Sequence, residues 1–323
     1  MEFRVNNPAP LPTIEEDLLL ESRTPQMAAM LETLERAAIG DSTILLTGES
    51  GTGKDVLARQ IHRWSRRHGP FVAINCTTLA EHLLEDELFG HVRGSFTGAI
   101  NNKPGRLEGG DGGTVLFDEI AELPTSLQIK FLRFVQDRCF ERIGSNRTLR
   151  VDVRVVAASN RNMEAEVAAG RFREDLFYRL NVIMFTLPPL RERTQDILPF
   201  ADWMLNRMSI AGGRREFRLS PDAANALVSY RWPGNVRELH NALKRAADLA
   251  HTEMITLNDL PESVSHRASP MCAPDPRGTR LKDFEREQIL RALASSPTLG
   301  RAAAALGINV TTLWRKRRHY GIG

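Results

Sequence analysis

The chain has 323 residues, 42% of them hydrophobic and 26% charged, which is the composition of an ordinary globular protein with room for two or three domains. No apolar run approaches the roughly 18 residues of a membrane span, so we expect no membrane partner. The three cysteines, Cys76, Cys139 and Cys272, are too far apart for a metal motif or a disulfide framework, so we expect a reduced, cytoplasmic compartment. The formal net charge of +3 is uneven: residues 277–323 hold ten Lys and Arg against three Asp and Glu, which suggests either a nucleic-acid partner or a solvated helix face.

In chain order, the composition changes at two proline-rich stretches. Residues 1–20 predict an arm or linker, and residues 262–280, with three prolines and no periodicity, predict a flexible linker. Between them, short apolar segments alternate with helical patterns, which predicts a parallel sheet covered by helices on both faces. The segments are Ile44–Leu46, Phe71–Ile74, Val115–Phe117, Val153–Ala157 and Val182–Leu187.

The first apolar segment leads into GESGTGKD, a glycine-rich turn before an amphipathic helix pattern. Glycines let the backbone curl so that N–H groups point at a phosphate, and Lys54 adds a charge for the β- and γ-phosphates. Asp55 stands where such loops usually have Ser or Thr, so the usual hydroxyl ligand for Mg²⁺ is missing; a chance glycine-rich turn is the alternative. The predicted nucleotide-binding residues are Gly48, Glu49, Ser50, Gly51, Thr52, Gly53, Lys54 and Asp55.

In GGTVLFDE, an apolar strand pattern ends in two adjacent acids. Asp118 is placed to hold Mg²⁺, directly or through water, and Glu119 is placed to polarise the attacking water. Acid pairs after a strand are also common on surfaces, but this pair follows the phosphate loop by about 65 residues, as a nucleotide-hydrolysis site requires. ATP and Mg²⁺ are therefore the expected cofactors.

The stretch GHVRGSFTGA sets a single aromatic side chain, Phe96, among small residues. On these residues alone, a glycine-rich turn with Phe96 in the core is the ordinary interpretation, because most aromatic side chains are buried. An exposed aromatic contact is the other interpretation, and the rest of the chain has to decide between them.

The basic end of the chain predicts a helix-turn-helix, with an alanine-rich helix, a turn at Gly307 and a second helix from about Val310. The predicted core residues are Ile289, Leu293, Leu306, Ile308 and Leu313, with Ala303 and Ala304 allowing a close helix crossing. The residues predicted to face DNA are Thr311, Thr312, Arg315 and Lys316 in the major groove, and Arg317 and Arg318 at the phosphates. A basic hairpin that binds protein is the alternative.

Together these motifs resemble those of the bacterial enhancer-binding proteins, AAA+ ATPases of the nitrogen-regulator type that activate sigma-54 RNA polymerase. The matching stretches, in the family's order, are GESGTGKD, ELFGHVRGSFTGA, GGTVLFDE, VVAASNR, FREDLFYRLNV, LPPLRER and YRWPGNVREL. The stretches RFVQDRCFERIG and TLWRKRRHYG point to the alginate-regulator type.

The resemblance implies an α/β fold: an AAA+ P-loop ATPase with a parallel sheet, a helical lid subdomain and a C-terminal all-α helix-turn-helix domain. The expected divisions are an arm at 1–20, the α/β subdomain at 21–190, the lid at 191–261, a linker at 262–280 and the DNA-binding domain at 281–323. Many relatives carry a receiver or ligand-sensing domain before the ATPase. The roughly 20 residues here are too few for one, so we expect either a protein without its own sensor or a fragment.

The family's GAFTGA motif lies at the tip of a loop inserted in a helix, and that loop contacts sigma-54. The resemblance implies that Phe96 and Thr97 are contact residues, and that the small residues beside them let the loop move with the nucleotide state. Ser95 replaces the usual Ala, which adds a hydroxyl and little bulk, so we expect function to survive. The implied contact set is Gly94, Ser95, Phe96, Thr97, Gly98 and Ala99.

Roles in hydrolysis carry over from the family residue by residue. Asn75 resembles the partner that holds the catalytic Glu119. Asn160, with Ser159, resembles the sensor of the γ-phosphate, and Arg237 resembles the second sensor, in the lid.

Four further residues are implied to act at loops or between subunits. Arg173 and Arg179 resemble fingers that reach a neighbouring subunit's ATP, although without the resemblance they read as exposed helix charges. Fingers of this kind require an interface, so the implied assembly is a homo-oligomer, from dimer to hexameric ring. Glu108 and Arg142 fall in the loops that support the insertion in relatives, or are plain surface charges.

Three classes of function remain open. The resemblance favours an ATPase that activates sigma-54 RNA polymerase from enhancer DNA. An AAA+ remodeller of another kind, such as a helicase or chaperone, is disfavoured by GSFTGA and by the predicted DNA-binding end. A repressor that uses the ATPase fold only to sense a ligand is disfavoured because Phe96 and Thr97 are both present.

Overall fold

The computed structural model describes residues 22–77, 80–211, 216–265, 289–290, 292–293 and 298–320. The chain divides into two compact units between Ser269 and Pro270. Within the described residues, no helix has the length and apolar character needed to cross a bilayer.

The first unit contains a five-stranded parallel sheet and three short two-stranded pairings. The strands are β1 (Ile44–Thr47), β2 (Phe71–Asn75), β3 (Gly90–His91), β4 (Lys103–Pro104), β5 (Thr114–Asp118), β6 (Cys139–Glu141), β7 (Thr148–Arg150), β8 (Arg154–Ser159), β9 (Ile183–Thr186), β10 (Arg218–Leu219) and β11 (Met254–Ile255). The order in the large sheet is β2-β5-β8-β1-β9, so β2 and β9 are its edges.

The helices of this unit cover the sheet and form a separate bundle after it. They are α1 (Pro25–Ile39), α2 (Lys54–Trp64), α3 (Glu81–Phe89), α4 (Arg106–Gly109), α5 (Thr125–Asp137), α6 (Met163–Ala168), α7 (Glu174–Leu180), α8 (Thr194–Ala211), α9 (Pro221–Ser229), α10 (Asn235–Leu249) and α11 (Glu262–Ser265). Single 3-10 turns occur at Ile120–Glu122, Leu190–Glu192 and Leu257–Asp259.

The predicted α/β architecture is confirmed, and the packing of the strands shows why. Successive side chains of a strand point to opposite faces. Accordingly, Leu45 of β1 lies in the core with α3, α5 and α7, whereas Ile44 and Leu46 lie in the core with α1 and α2. The central strands β1, β5 and β8 are buried on both faces and are largely apolar, and each predicted segment contributes to a strand of the large sheet.

The lid is a mainly helical bundle built around Trp232, which is fully buried, with the short β10–β11 pairing at its side. Its helices are α8 to α11, and they share one apolar core. Residues 262–265, which their composition assigned to the linker, instead form α11. The Pro261 carbonyl accepts the hydrogen bonds that start this helical turn, and Val264 is 1% exposed because it packs in the lid core. The packed lid therefore extends beyond residue 261; most of the predicted linker, and the arm at 1–20, lie outside the described residues.

The second unit contains the helices Leu299–Ala305 and Val310–His319 and the helical positions 289–290 and 292–293. Ile289 and Leu313 are buried together, with Leu293, Leu306 and Ile308 packed against them, so the five predicted core residues meet. Gly307 has φ +64°, a left-handed conformation that suits glycine at a turn. The Asn309 side chain accepts a hydrogen bond from the Thr311 N–H and caps the second helix, which begins at Val310 as predicted.

Candidate nucleotide site, insertion loop and nucleic-acid interface

The glycine-rich segment between β1 and α2 curls around the Lys54 side chain. Gly48, Gly51 and Gly53 have φ values of +142°, +77° and +98°, conformations that a side chain would strain. Lys54 is the first residue of α2, is 6% exposed, and its Nζ donates to the carbonyls of Gly48 at 2.9 Å and Glu49 at 3.1 Å. Burial lowers the pKa of Lys54. The loop has the curled form in which backbone N–H groups and a lysine can bind phosphate.

The two predicted acids lie beside this loop. Asp118 ends β5, and its Oδ1 accepts a hydrogen bond from the backbone N–H of Glu119 at 3.0 Å. Burial raises the pKa of Asp118, while attraction to the Lys54 ammonium opposes this. Glu119 has φ +53°, unusual for a non-glycine residue, and this turns its side chain out of the strand direction. The structure therefore brings Lys54, Asp118 and Glu119 into one electrostatically coupled group.

Glu119 is held by the end of the neighbouring strand. Its Oε2 accepts a hydrogen bond from the backbone N–H of Asn160 at 3.1 Å, just past β8. Asn75 lies beside Asp118 in the β2–β5 register, but its Oδ1 accepts from the N–H and hydroxyl of Thr77, at 2.8 Å and 2.6 Å. In the described part of the chain, then, the hydrogen bond of the Glu119 carboxylate goes to Asn160, and its implied contact with Asn75 stays a prediction.

A cleft of about 320 Å³ opens next to the phosphate loop. Gly48, Glu49 and Asn160 line it, together with Phe177 and Met184. The cleft thus connects the loop, the predicted phosphate sensor and the helix that carries the predicted fingers.

The two predicted fingers are exposed on and beside α7. Arg173 precedes the helix, and its guanidinium binds both carboxylate oxygens of Asp175 at 3.0 Å and 2.7 Å. Arg179 lies in the last turn of α7. Within the described residues, neither side chain forms a hydrogen bond to the phosphate loop of its own chain.

The lid packs directly on the phosphate loop, which the motifs alone did not indicate. Arg237 Nη1 donates to Ser50 Oγ at 3.0 Å, so this predicted lid sensor does reach the loop. Asn235, which was not predicted, is fully buried and contacts Glu49 and Ser50. Arg191 binds both carboxylate oxygens of Glu49 at 2.7 Å and 2.8 Å, and this pair lowers the pKa of Glu49. The contacts of Asn235 and Arg191 join residues over 140 positions apart, so local patterns contain no signal for them.

The GSFTGA stretch forms an exposed loop on the β3–β4 pairing. Phe96 is 47% exposed and packs edge-on against the His91 ring, with centroids 5.0 Å apart, so it is not a core residue. Gly94 and Gly98 have φ values of +81° and +104°, and the space around both is open. Thr97 is exposed, as is required of a contact residue.

Ala99, at the end of this loop, is buried, and Ser95 is half-buried. Ala99 is 7% exposed, and its carbonyl accepts from the Gly94 N–H at 2.9 Å. Ser95 packs so closely on Gly144 that a methyl group there would lie 2.5 Å from its Cβ. The Ser95 hydroxyl is buried, and no described residue hydrogen-bonds to it. Serine at this position, which we expect the protein to tolerate, therefore has a local energetic cost, since a buried hydroxyl without a hydrogen-bond partner is unfavourable.

Ion pairs support the base of the loop. Glu108 and Arg142 bind each other through two guanidinium nitrogens, with a shortest distance of 2.6 Å, so they are partners and not separate surface charges. Ile143 follows Arg142 and pairs with His91. Asp86 binds His91 at 2.5 Å and Lys103 at 3.0 Å; burial works against ionisation of Asp86, but these two hydrogen bonds outweigh it and hold its pKa below the usual value.

The second tail helix presents only part of its basic surface outward. Thr311, Thr312, Arg315 and Arg318 are exposed, whereas Lys316 and Arg317 are half-buried because they lie on the same side as the core residue Leu313. Trp314, which was not predicted, is 53% exposed, and the Arg318 guanidinium lies 5.7 Å from its ring centroid. Trp314 lies one turn after Val310 and one turn before Arg318, and this spacing could have predicted that it shares their exposed face.

Models of three known protein domains match successive parts of the chain. The model of the Sigma-54 interaction domain matches residues 20–186, that of the AAA+ ATPase lid domain matches 191–274, and that of the Fis family of bacterial regulatory proteins matches 280–320. The chain is 49% identical over 305 residues to the alginate biosynthesis transcriptional regulatory protein AlgB of Pseudomonas aeruginosa, covering 94% of this chain and 68% of AlgB.

Two further comparisons extend the likeness. The chain is 51% identical over 253 residues to the response regulator protein FleR of Pseudomonas aeruginosa, covering 77% of this chain and 53% of FleR. The crystal structure of NtrX from Brucella abortus in complex with ATP matches with a TM-score of 0.71 at 33% identity, covering 93% of this chain and 69% of that one.

Proposed function

The chain belongs to the family of sigma-54-dependent transcriptional activators, AAA+ ATPases with a Fis-type helix-turn-helix, and from this membership we propose that it hydrolyses ATP in a homo-oligomeric ring to remodel the sigma-54 RNA polymerase closed complex from enhancer DNA. One observation carries the proposal: the group of Lys54, Asp118 and Glu119 occurs in the same unit as an exposed loop bearing Phe96 and Thr97. Because the proposed partners are RNA polymerase and enhancer DNA, the proposed location of this activity is the cytoplasm.

The residues around the phosphate loop fit ATP and Mg²⁺. The curled loop Gly48–Asp55 would bind the phosphates through its N–H groups, with Lys54 placed at the β- and γ-phosphates. Mg²⁺ is commonly held by one or two carboxylates together with substrate phosphates, and Asp118 is the carboxylate that would contribute here. When bound, the ion neutralises phosphate charge during transfer.

In this proposal Glu119 is the residue that orients the attacking water and accepts its proton. Its position depends on the Asn160 N–H at 3.1 Å, so the water-orienting carboxylate and the proposed phosphate sensor move together. Asn75 is proposed to hold Glu119 in another nucleotide state, since it lies beside Asp118 in the sheet. Arg237 is the proposed second sensor, and its contact with Ser50 brings it to the loop.

The active site is proposed to be completed by a second subunit. Arg173 and Arg179 are exposed, and within the described residues neither forms a hydrogen bond to its own phosphate loop, which suits arginine fingers that serve a neighbour. A contact of this head-to-tail kind closes into a ring when the rotation is right, and the family's ring is a hexamer. A guanidinium placed at the transferring phosphate stabilises the charge that develops there.

Coupling to sigma-54 is proposed to run through the insertion loop. Phe96 and Thr97 are exposed at its surface, on glycines with open space around them. The Glu108–Arg142 pair and the Ile143–His91 bridge join the base of this loop to the β6–β7 connection. Movement of these supports with the nucleotide state would raise or lower the loop.

The tail unit is proposed to bind enhancer DNA through the exposed face of its second helix. Thr311, Arg315 and Arg318 would reach the groove and its phosphates, while Lys316 and Arg317 would contact only its margin because they are half-buried. The proposed division is an arm at 1–20, an α/β subdomain at 21–190, a lid from 191, a linker that begins after α11, and the DNA-binding domain at 281–323.

One experiment separates this function from the alternatives. The full chain is assayed for ATP hydrolysis and for capture of purified sigma-54, with ADP–aluminium fluoride as a transition-state analogue and ADP alone as control. We expect hydrolysis, and capture only with the analogue. Hydrolysis without capture in any nucleotide state would point to another kind of remodeller. DNA binding without hydrolysis or capture would point to a ligand-sensing repressor.

A further inference from the structure

Asn235 joins three separate parts of the ATPase unit through one side chain. It is the first residue of α10 and is fully buried. Its Oδ1 accepts a hydrogen bond from the Leu190 N–H at 2.8 Å. Its Nδ2 donates to the Ser50 carbonyl at 3.0 Å and to Glu49 Oε2 at 3.2 Å. Both ends of the amide are therefore used, one toward the start of the lid and the other toward the phosphate loop.

The surrounding backbone makes this junction tight. The Val236 N–H donates to the Gly51 carbonyl at 2.9 Å. A methyl group on Gly51 would lie 2.4 Å from the Gly234 carbonyl oxygen, so the loop and the lid turn approach as closely as backbones can. Asn235 itself has φ +53°, a left-handed conformation that asparagine tolerates better than most residues. The close contact therefore depends on glycine at position 51 and on a residue that tolerates a left-handed backbone at position 235.

The other lid contacts with the phosphate loop are more exposed. The Arg191–Glu49 pair is bidentate, but its side chains are 41% and 43% exposed, and ion pairs in contact with water contribute little. Arg237 reaches the Ser50 hydroxyl from the exposed side. Of the side chains of Arg191, Asn235 and Arg237, that of Asn235 is the one that is fully buried, and a buried amide is costly to leave without its hydrogen bonds.

We propose that Asn235 is the positioning residue that holds the lid against the phosphate loop and thereby sets how long the nucleotide is retained. The inference rests on the proposed nucleotide site. Opening the lid separates α10 from Glu49 and Ser50, which breaks both donor contacts of Asn235. The same amide orients the Glu49 carboxylate and the Ser50 carbonyl. The loop therefore also loses its bound shape when the lid moves away. Lid opening and release of phosphate contacts are then one event.

The substitution Asn235→Asp tests this with little change of shape. The carboxylate keeps an acceptor for the Leu190 N–H and tolerates the left-handed backbone, but it loses the donor and places negative charge against Glu49. We expect the ADP dissociation rate, measured with a fluorescent N-methylanthraniloyl nucleotide, and the KM for ATP each to rise at least ~10-fold. We expect kcat at saturating ATP to stay within ~3-fold of wild type, because the residue touches no reacting atom.

Two further variants keep the test decisive. In the double variant Glu49→Gln/Asn235→Asp, the glutamine amide supplies a donor to the new carboxylate, so we expect nucleotide retention to recover by at least ~3-fold over Asn235→Asp alone. Asn225→Asp, at an exposed position of α9, is the matched control and should behave as wild type. Melting temperatures without nucleotide show whether a variant has simply lost its fold.

The results distinguish a wrong role for Asn235 from a wrong assignment of the nucleotide site. If the wild type neither binds nor hydrolyses ATP, the nucleotide site itself has been misassigned. If the wild type is active and Asn235→Asp releases ADP at the wild-type rate, Asn235 does not set retention. A loss confined to kcat, or a double variant no better than the single one, would equally overturn the proposed role.

Discussion

The carboxylate of Glu119 accepts a hydrogen bond from the backbone N–H of Asn160, 3.1 Å away, across the carboxyl ends of β5 and β8. The donor is a backbone group, so substitution of the Asn160 side chain leaves it in place, whereas substitution of Glu119 removes the bond altogether. This relationship makes Glu119 the better residue at which to test the assignment of the hydrolytic step.

Replacement of Glu119 by Ala should separate nucleotide binding from hydrolysis. The phosphate-binding residues Gly48 and Lys54 are unchanged, but the group that orients the attacking water is lost, so we expect ATP binding within a few-fold of wild type and turnover slower by at least ~10²-fold. Equilibrium binding and phosphate release measure the two quantities. Glu35→Ala, at an exposed position of α1, is the control. Normal turnover in Glu119→Ala would rule out its assignment.

Substitution of Thr97 by Ala should uncouple the ATPase from sigma-54. The loop around Thr97 is exposed and makes no described contact with Lys54 or Glu119, so ATPase activity should stay within a few-fold of wild type while analogue-dependent capture of sigma-54 is lost. Asn101→Ala, an exposed change in the same insertion, should retain capture. A Thr97 variant that captures sigma-54 but no longer hydrolyses ATP would mean that the loop has been misassigned.

Mixing experiments should show whether Arg179 acts in a neighbouring subunit. Arg179→Ala alone should be nearly inactive, because an arginine finger contributes ~10³-fold or more to turnover. A Lys54→Ala subunit cannot bind nucleotide but supplies an intact Arg179, so mixtures of the two variants should recover measurable turnover. Sedimentation establishes that mixed assemblies are present. Inactivity at every mixing ratio would argue against action between subunits.

Removal of the Asp196 carboxylate should destabilise the ATPase unit. Asp196 and Arg193 form an ion pair in which both side chains are 1% exposed, and Asp196 also accepts hydrogen bonds from Ser22 Oγ, Arg23 N–H and Thr24 N–H. Breaking a buried pair leaves the other charge unpaired, so Asp196→Asn should cost about 3 kcal/mol, seen as a lower melting temperature. Asp202→Asn, on the same helix, is the control.

The Asp196 effect should also depend on pH. Burial opposes ionisation of Asp196, but the hydrogen bond from Ser22 and the Arg193 guanidinium outweigh it and lower its pKa. A lowered pKa gives stability that is fully present above the unfolded value of about 4 and is lost as pH falls through the folded value. The difference in stability between wild type and Asp196→Asn should thus be constant at neutral pH and shrink below about pH 4. A difference that grows on acidification would contradict the assigned contacts.

Arg315→Ala should weaken DNA binding by the full chain and reduce its salt dependence. Each phosphate contact contributes about one unit to the slope of log affinity against log salt, and Arg315 lies on the exposed face of the helix. Arg317→Ala should have a smaller effect because Arg317 is half-buried beside Leu313. Arg245→Ala, exposed on α10, is the control. Equal effects of Arg315 and Arg317 would mean that another face meets the DNA.

Much of the fold could be predicted because its information is local. The central strands of the large sheet are largely apolar runs because both of their faces are covered, and the phosphate loop is a compact motif around Lys54. The turn at Gly307 and the burial of Leu313 likewise follow from neighbouring residues. The exposure of Phe96 did not follow from its own segment; it was expected only through the family resemblance.

The contacts that could not be predicted join distant parts of the chain. Asn235 lies 185 positions from Ser50, and nothing in the sequence near either residue indicates that they meet. The short helix α11 was missed because its apolar content is one residue, Val264, whose partners lie elsewhere in the lid. The half-buried state of Lys316 and Arg317 could have been predicted, since both lie one turn after Leu313.

The position of β9 at the edge of the large sheet has a consequence for handling the protein. A strand edge presents N–H and C=O groups onto which a foreign strand can add, and this one follows the exposed Val182 and carries the half-exposed Met184. Its length of four residues limits how far such an addition can extend. The free edge of β9 is therefore a site at which aggregation can begin, within a few residues of Arg179.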